Sequence, residues 1–227
     1  MIKQKQFGEL KNLINSCIFK KKIGLRNPCL SRLRRKMERN IKAYISIALG
    51  ILFCGSVLVG YIPIPEYVIE LTCMSNLFIG ILLLFTGINM LGKKKKIPSV
   101  IYHMWLVTIL LVCTISCIGH FNFHGVFFFL HLVNPFVFLV YYMVFIDDGK
   151  NIKKILLTPI PVIIYLIFDY IIGMSRGTFV YGIFEVNEMD FAVMLLIVCG
   201  VYISLLMIAA ITQYINQKMR MLILVRR

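Results

Sequence analysis

Six stretches of this chain are too long and too apolar to belong to an ordinary soluble domain. They cover roughly residues 42–61, 69–91, 100–118, 126–146, 155–173 and 191–215. A helix needs about 20 predominantly apolar residues to cross the hydrocarbon of a bilayer. Each stretch is continuously apolar, without the short alternating segments of a membrane barrel, so helices are expected. The composition agrees: 59% of residues are hydrophobic and 15% charged. The expected fold class is all-α, a polytopic membrane protein with six transmembrane helices.

Charge then sets the expected orientation. The chain carries 25 Lys/Arg against 10 Asp/Glu. With six spans, 24 of the 25 basic residues fall on one side: the tail up to Lys42, the Lys93–Lys96 loop, the loop with Lys150, Lys153 and Lys154, and the C-terminal tail. Only Arg176 falls on the other. The positive-inside rule makes the crowded side cytoplasmic and places both termini there. Losing one span would scatter the basic loops over both faces. A basic chain can also bind nucleic acid, but so apolar a chain argues against that partner. Membrane lipids are the expected surroundings and the cell membrane the expected location.

Three regions follow: a basic N-terminal extension at 1–40, a six-helix domain at 41–217 and a basic tail at 218–227. In the extension, Phe7, Leu10, Ile14, Cys17 and Ile18 recur at spacings of three and four among lysines. That pattern suits a helix lying on an anionic leaflet. The plainer alternative is a disordered basic tail that only sets topology. A start at Met37, directly ahead of the first apolar block, is a third. The first block lies too far from Met1 for a cleavable signal segment. The seven cysteines form no CxxC, so free thiols acting as small hydrophobes are expected.

Inside hydrocarbon the polar residues carry the information. The second block opens Leu71-Thr72-Cys73-Met74-Ser75-Asn76, with Thr72 and Asn76 on one helix face. The fourth carries His131, Asn134 and Pro135, the fifth Pro159, Pro161 and Asp169, and Arg176 and Tyr181 follow. Counting along each helix puts Thr72, His131 and Asp169 about 5–8 Å below the outer boundary. An imidazole can take the proton of a threonine hydroxyl and return it to a leaving group. Thr72 is therefore a candidate nucleophile and His131 its candidate base. Asn76 and Asn134 are candidates for orienting substrate or stabilising an oxyanion. Asp169 could orient His131 or pair with Arg176. The structural alternatives are a threonine bonded to its own backbone and an asparagine joining two helices. His120 and His124 lack a nearby carboxylate, so no metal is expected. No phosphate-cradling glycine loop, HExxH or GxSxG occurs.

These motifs carry a resemblance. Thr72-x-x-Ser75-Asn76, His131-x-x-x-Pro135 and Pro161-x-x-x-Tyr165 followed by Gly173, Arg176, Gly177 and Tyr181 resemble, in order, the bacterial Pr6Pr-type six-span proteins. The likeness spans about residues 41–217. Those proteins are similar to the animal androgen-induced membrane protein family, threonine hydrolases that cleave fatty acid esters of hydroxy fatty acids. The resemblance implies a cofactor-free hydrolase of a lipid ester with Thr72 as nucleophile and His131 as base. Asn76, Asn134, Asp169, Arg176 and Tyr181 are then expected around the substrate. The basic extension has no family counterpart, and Tyr181-Gly182 stands where the family has a tyrosine-proline pair. The alternative from another class is a small transporter or a lipid-binding accessory subunit. Ionisable groups near the outer layer rather than the midplane weigh against transport.

Overall fold

In the computed structural model the described residues are 28–92, 96–119, 124–149, 151–180 and 190–225. They are all-helical, and six helices are long and apolar enough to cross a membrane. We number them α1 (Pro28–Tyr61), α2 (Leu71–Leu91), α3 (Ser99–Ile118), α4 (Val126–Phe145), α5 (Ile152–Arg176) and α6 (Phe191–Val225). Large apolar side chains such as Val59, Phe85, Phe136, Ile164 and Leu196 stay exposed on the outer surface. That surface suits hydrocarbon surroundings. The chain is a multi-pass membrane protein.

Several helices outrun their apolar blocks. The helix containing the first block starts at Pro28 rather than near residue 42, so 28–40 of the basic extension is one rod with the first span. The last helix runs to Val225 rather than 215, and the fifth covers 152–176 rather than 155–173. Hydropathy marks where the chain is apolar, whereas backbone hydrogen bonding carries the helix on into the charged flanks. The Phe7–Ile18 pattern lies outside the described residues, as do Lys93–Lys95, His120, Lys150 and Tyr181.

Small residues set the closest helix pair. A Cβ on Gly50 would stand 2.8 Å from the Gly80 carbonyl oxygen and the Leu84 nitrogen. One on Gly87 would stand 2.7 Å from the Ala43 oxygen. Glycine at these positions lets the backbones of α1 and α2 touch, which is how membrane helices gain packing energy without a hydrophobic drive. Phe53, Ile79, Leu83, Leu106, Phe138 and Tyr142 then close a core shared by α1 to α4. On its opposite face α3 packs Val107 against Val162 of α5 and Leu205 and Ala209 of α6.

The ends of α5 follow from local chemistry. Asn151 caps its first turn, its side-chain oxygen accepting from the Lys153 N–H at 3.0 Å. Pro159 and Pro161 interrupt the next turn because neither supplies an N–H. Gly177, at φ +77°, ends the helix in the left-handed conformation. The chain then folds back, with the Phe179 ring lying where a Cβ on Gly173 would be.

The basic loops meet at one end of the bundle. Lys42 of α1 donates to the Phe145 carbonyl of α4. Arg220 of α6 donates to the Val144 carbonyl at 2.9 Å. This end is called basic below; Thr72, His131 and Asp169 lie toward the other.

Candidate functional site at the Thr72 end

The local sequence explains how His131 is held. Residues Phe129–Val133 form a π turn inside α4, and the Asn134 N–H reaches back to the Phe129 carbonyl. The Leu130 carbonyl thereby loses Asn134 as a donor, and the next residue, Pro135, has no N–H to give. The orphaned carbonyl is met from another helix: Asn76 Nδ2 of α2 donates to it at 3.3 Å. The same amide donates to the Thr72 carbonyl at 2.8 Å. One side chain thus binds the first turn of α2, which carries Thr72, to the irregular turn of α4, which carries His131. Single π turns are frequent at functional sites.

A second amide extends the link. Asn134 Nδ2 donates to Asn76 Oδ1 at 2.8 Å and to Ser56 Oγ at 2.9 Å, and the Ser56 hydroxyl donates to the Phe53 carbonyl. The chain joins α1, α2 and α4 without a charge. Asn76 and Asn134 are fully buried, and their amide hydrogens are spent on protein acceptors. Thr72 is 3% exposed and His131 7%. Leu130 packs on Cys73, so the neighbours of both candidate residues touch. The His131 ring lies 5.9 Å from Phe127, which stands edge-on to Tyr61 at the same distance. The Tyr61 hydroxyl donates to Glu70 Oε2 at 2.8 Å. Burial pushes the Glu70 carboxyl above its ordinary range, and the Tyr61 bond works against that shift.

The remaining candidates sit on or after α5. Tyr165 packs against Leu71 and Val112, placing α5 beside the start of α2. Asp169 follows one turn later. It lies seven residues before the helix end, or about 10 Å. This is deeper than the sequence suggests, because α5 continues to Arg176. Asp169 Oδ1 accepts from the Val180 N–H at 2.9 Å and so holds the fold-back after Gly177. Arg176 is exposed, and no ion pair joins it to Asp169. Among the described residues no group of three potential metal ligands occurs.

At the basic end lies a second polar cluster, centred on Asp148 between α4 and α5. Its Oδ1 accepts from Lys154 Nζ and Ser99 Oγ, each at 2.9 Å. Its Oδ2 accepts from the Tyr142 hydroxyl at 2.7 Å and lies 3.1 Å from His103 Nδ1, off the line of a good hydrogen bond. Across the His103 ring, Nε2 is 2.9 Å from Thr212 Oγ1. The Asn216 amide donates to the Ile146 carbonyl at 3.0 Å. Burial alone pushes the Asp148 carboxyl up. His103, Lys154, Tyr142 and Ser99 together outweigh burial and hold it well below the usual carboxylate range.

Thr212, His103 and Asp148 form a hydroxyl–imidazole–carboxylate row, the same group types as a catalytic triad. His103 and Asp148 are sealed, and the Thr212 hydroxyl also lies 2.9 Å from the Ile208 carbonyl. The cluster ties α3, α4, α5 and α6 together. One signal for it is visible in the sequence: Ser99 and His103 share a helix face, as do Thr212, Gln213 and Asn216.

Compared with protein families, with curated proteins and with solved structures, the chain matches none of them.

Proposed function

We propose that this protein is a lipid-ester hydrolase of the cell membrane, with both termini cytoplasmic and its reaction centre toward the outer leaflet. Thr72 attacks the ester carbonyl while His131 takes the hydroxyl proton. The tetrahedral intermediate collapses, the acyl–alcohol bond breaks, and His131 protonates the departing alcohol. The acyl-threonine ester is then hydrolysed by water, with His131 again accepting and returning a proton. The observation that carries this reading is the single Asn76 amide bonded to both the Thr72 and the Leu130 carbonyls. It pins the threonine turn to the histidine turn. The resemblance of the Thr72-x-x-Ser75-Asn76 and His131-x-x-x-Pro135 motifs to the six-span threonine hydrolases supports the assignment. Asp169, Arg176 and Tyr181 would meet the substrate, and no metal or other cofactor enters the reaction.

The test is covalent labelling of membranes by a lipid-like fluorophosphonate, comparing the unaltered protein with Thr72→Ala, His131→Ala and Thr212→Ala. The expected result is labelling lost with Thr72 and depressed with His131, but kept in Thr212→Ala. The Thr212–His103 distance of 2.9 Å favours one competing reading, chemistry at the opposite end. Labelling lost only in Thr212→Ala would move the reaction there. Labelling and ester turnover indifferent to all three changes would overturn both assignments, and their absence from the unaltered protein would leave a non-enzymatic lipid-binding protein.

A further inference from the structure

The basic end carries a surface that the reaction does not use. Helix α1 is 34 residues long, or about 51 Å. Hydrocarbon takes up about 30 Å of that, about 20 residues. Counted back from Tyr61, this distance ends at Lys42, the first charge met from that side. Residues 28–41 therefore lie beyond the hydrocarbon. From Ser31 to Glu38 every side chain but Leu33 is exposed. Leu33, Met37, Ile41 and Tyr44 follow at spacings of four, four and three, so they share one face. Met37 is 60% exposed, Ile41 50% and Tyr44 62%. The same line runs on within the span through Ala48, Ile51 and Leu58, side chains that α1 turns toward lipid. The lipid-facing stripe of the span thus continues past the hydrocarbon edge in register.

Basic residues take the rest of the circumference. Arg34 and Lys36 flank the stripe on its two sides, and Arg32, Arg35 and Arg39 lie behind it. Glu38 is the only acid from residue 31 to residue 61, and it pairs with Arg34 at 3.0 Å. Among the described residues no carboxylate lies within 4 Å of Arg32, Arg35, Lys36 or Arg39.

A partner for this segment has to meet an apolar stripe and cations together. Nucleic acid would take the cations and leave the stripe in water. An acidic protein groove would take both, but the stripe is collinear with the lipid-facing side of the span and so is already directed at the bilayer. An anionic leaflet takes both: acyl chains meet the stripe, and long basic side chains reach along its flanks to phosphates. The geometry allows it. With α1 upright, Met37 would stand about 7 Å above the hydrocarbon edge, and a headgroup layer is about 5–7 Å deep. Spanning helices tilt by up to about 40°, and a lean toward the stripe lowers Met37 into that layer. We propose that residues 31–44 form a docking surface for anionic phospholipids of the adjoining leaflet, with Leu33, Met37 and Ile41 on the acyl boundary and Arg34 and Lys36 on the phosphates. This surface is independent of the chemistry at Thr72.

The full chain is placed in nanodiscs of phosphatidylcholine, with and without phosphatidylglycerol. Its one tryptophan is removed as Trp105→Phe, which keeps an aromatic ring against Phe78. A reporter is then introduced as Met37→Trp on the stripe or as Arg35→Trp behind it. Both positions are exposed, so neither change disturbs packing. Lipids brominated high on the acyl chain quench a reporter at the acyl boundary, and acrylamide quenches one in water. In discs with phosphatidylglycerol, Met37→Trp is expected to be quenched by the brominated lipid and shielded from acrylamide, and Arg35→Trp to show the reverse. Arg34→Gln and Lys36→Gln should each lower the docked-to-free ratio about fivefold, the worth of one cation at an anionic surface. Added salt should act in the same direction. Acrylamide quenching of Met37→Trp in both lipids would leave the segment in water and overturn the proposal. Shielding from both quenchers would put a protein surface on the stripe and overturn it equally. So would quenching by brominated lipid that is the same with and without phosphatidylglycerol.

Discussion

The two ends of the bundle bury polar groups in opposite ways. At the Thr72 end the links are neutral, two amides and a hydroxyl spanning α1, α2 and α4. At the basic end one carboxylate gathers a lysine, a serine, a tyrosine and a histidine. Neutral amides fix helices without setting a charge into the joint beside the candidate hydroxyl and imidazole. A sealed charge with many partners makes a firm joint, but its imidazole is committed to the joint. On the proposed function, turnover falls to the first end and rigidity to the second.

The largest effects should separate the two roles. Thr72→Ala is expected to abolish fluorophosphonate labelling, and His131→Ala to slow ester hydrolysis by about 10²–10⁴-fold, the usual worth of a general base. Neither should move the thermal midpoint much. A large midpoint drop in either, with labelling intact, would reverse the assignment. Asp148→Ala should do the opposite. Its loss strips the buried Tyr142 hydroxyl of its acceptor, at about 1–3 kcal/mol for a buried polar group left unsatisfied, and leaves Lys154 unpaired, so the midpoint in detergent should fall.

Acid should act through the same joint. Because Asp148 is held below the ordinary carboxylate range, its contribution is complete above about pH 4. It drains away as the pH falls toward the lower folded-state value. Unfolding titrations should show this acid loss in the unaltered protein and a shallower one in Asp148→Asn. Asn76→Leu should cost less, about 0.6–1.7 kcal/mol by the measured range for interhelical hydrogen bonds in membranes, while cutting ester turnover by freeing the His131 turn. Turnover unchanged in that variant would break the link between the amide and the chemistry. Smallest is Glu70→Gln. Glu70 titrates above its ordinary range, so its charged form is disfavoured by folding as the pH rises. The amide removes that penalty and can still accept from Tyr61. The midpoint above neutral pH should rise slightly.

The six helices were legible because hydrocarbon demands long apolar runs, and such runs survive without knowledge of contacts. The Thr72 end was partly legible. Thr72, Asn76, His131 and Pro135 stand out as polar or helix-breaking residues in apolar text. The π turn follows from Pro135 only once the Asn134 N–H is seen to reach Phe129. The Asp148 joint was hidden by distance along the chain. Gln213 lies 65 positions from Asp148, and Asn216 68. His103 reads as one more residue of an apolar helix until the folded chain sets it beside Tyr142, ring centres 5.4 Å apart. Side-chain spacing reports faces of one helix and is silent about which other helix arrives there.

The glycine seam between α1 and α2 has a consequence for biogenesis. These two helices are consecutive, joined by a short connection, and their closest contacts use residues of the first 91. Contacts between neighbours in sequence close with little entropic delay. The pair therefore has all it needs to zip together before α3 joins it in the membrane, so a bulky side chain at Gly50 or Gly87 would do its harm from insertion onward, before the rest of the fold is in place.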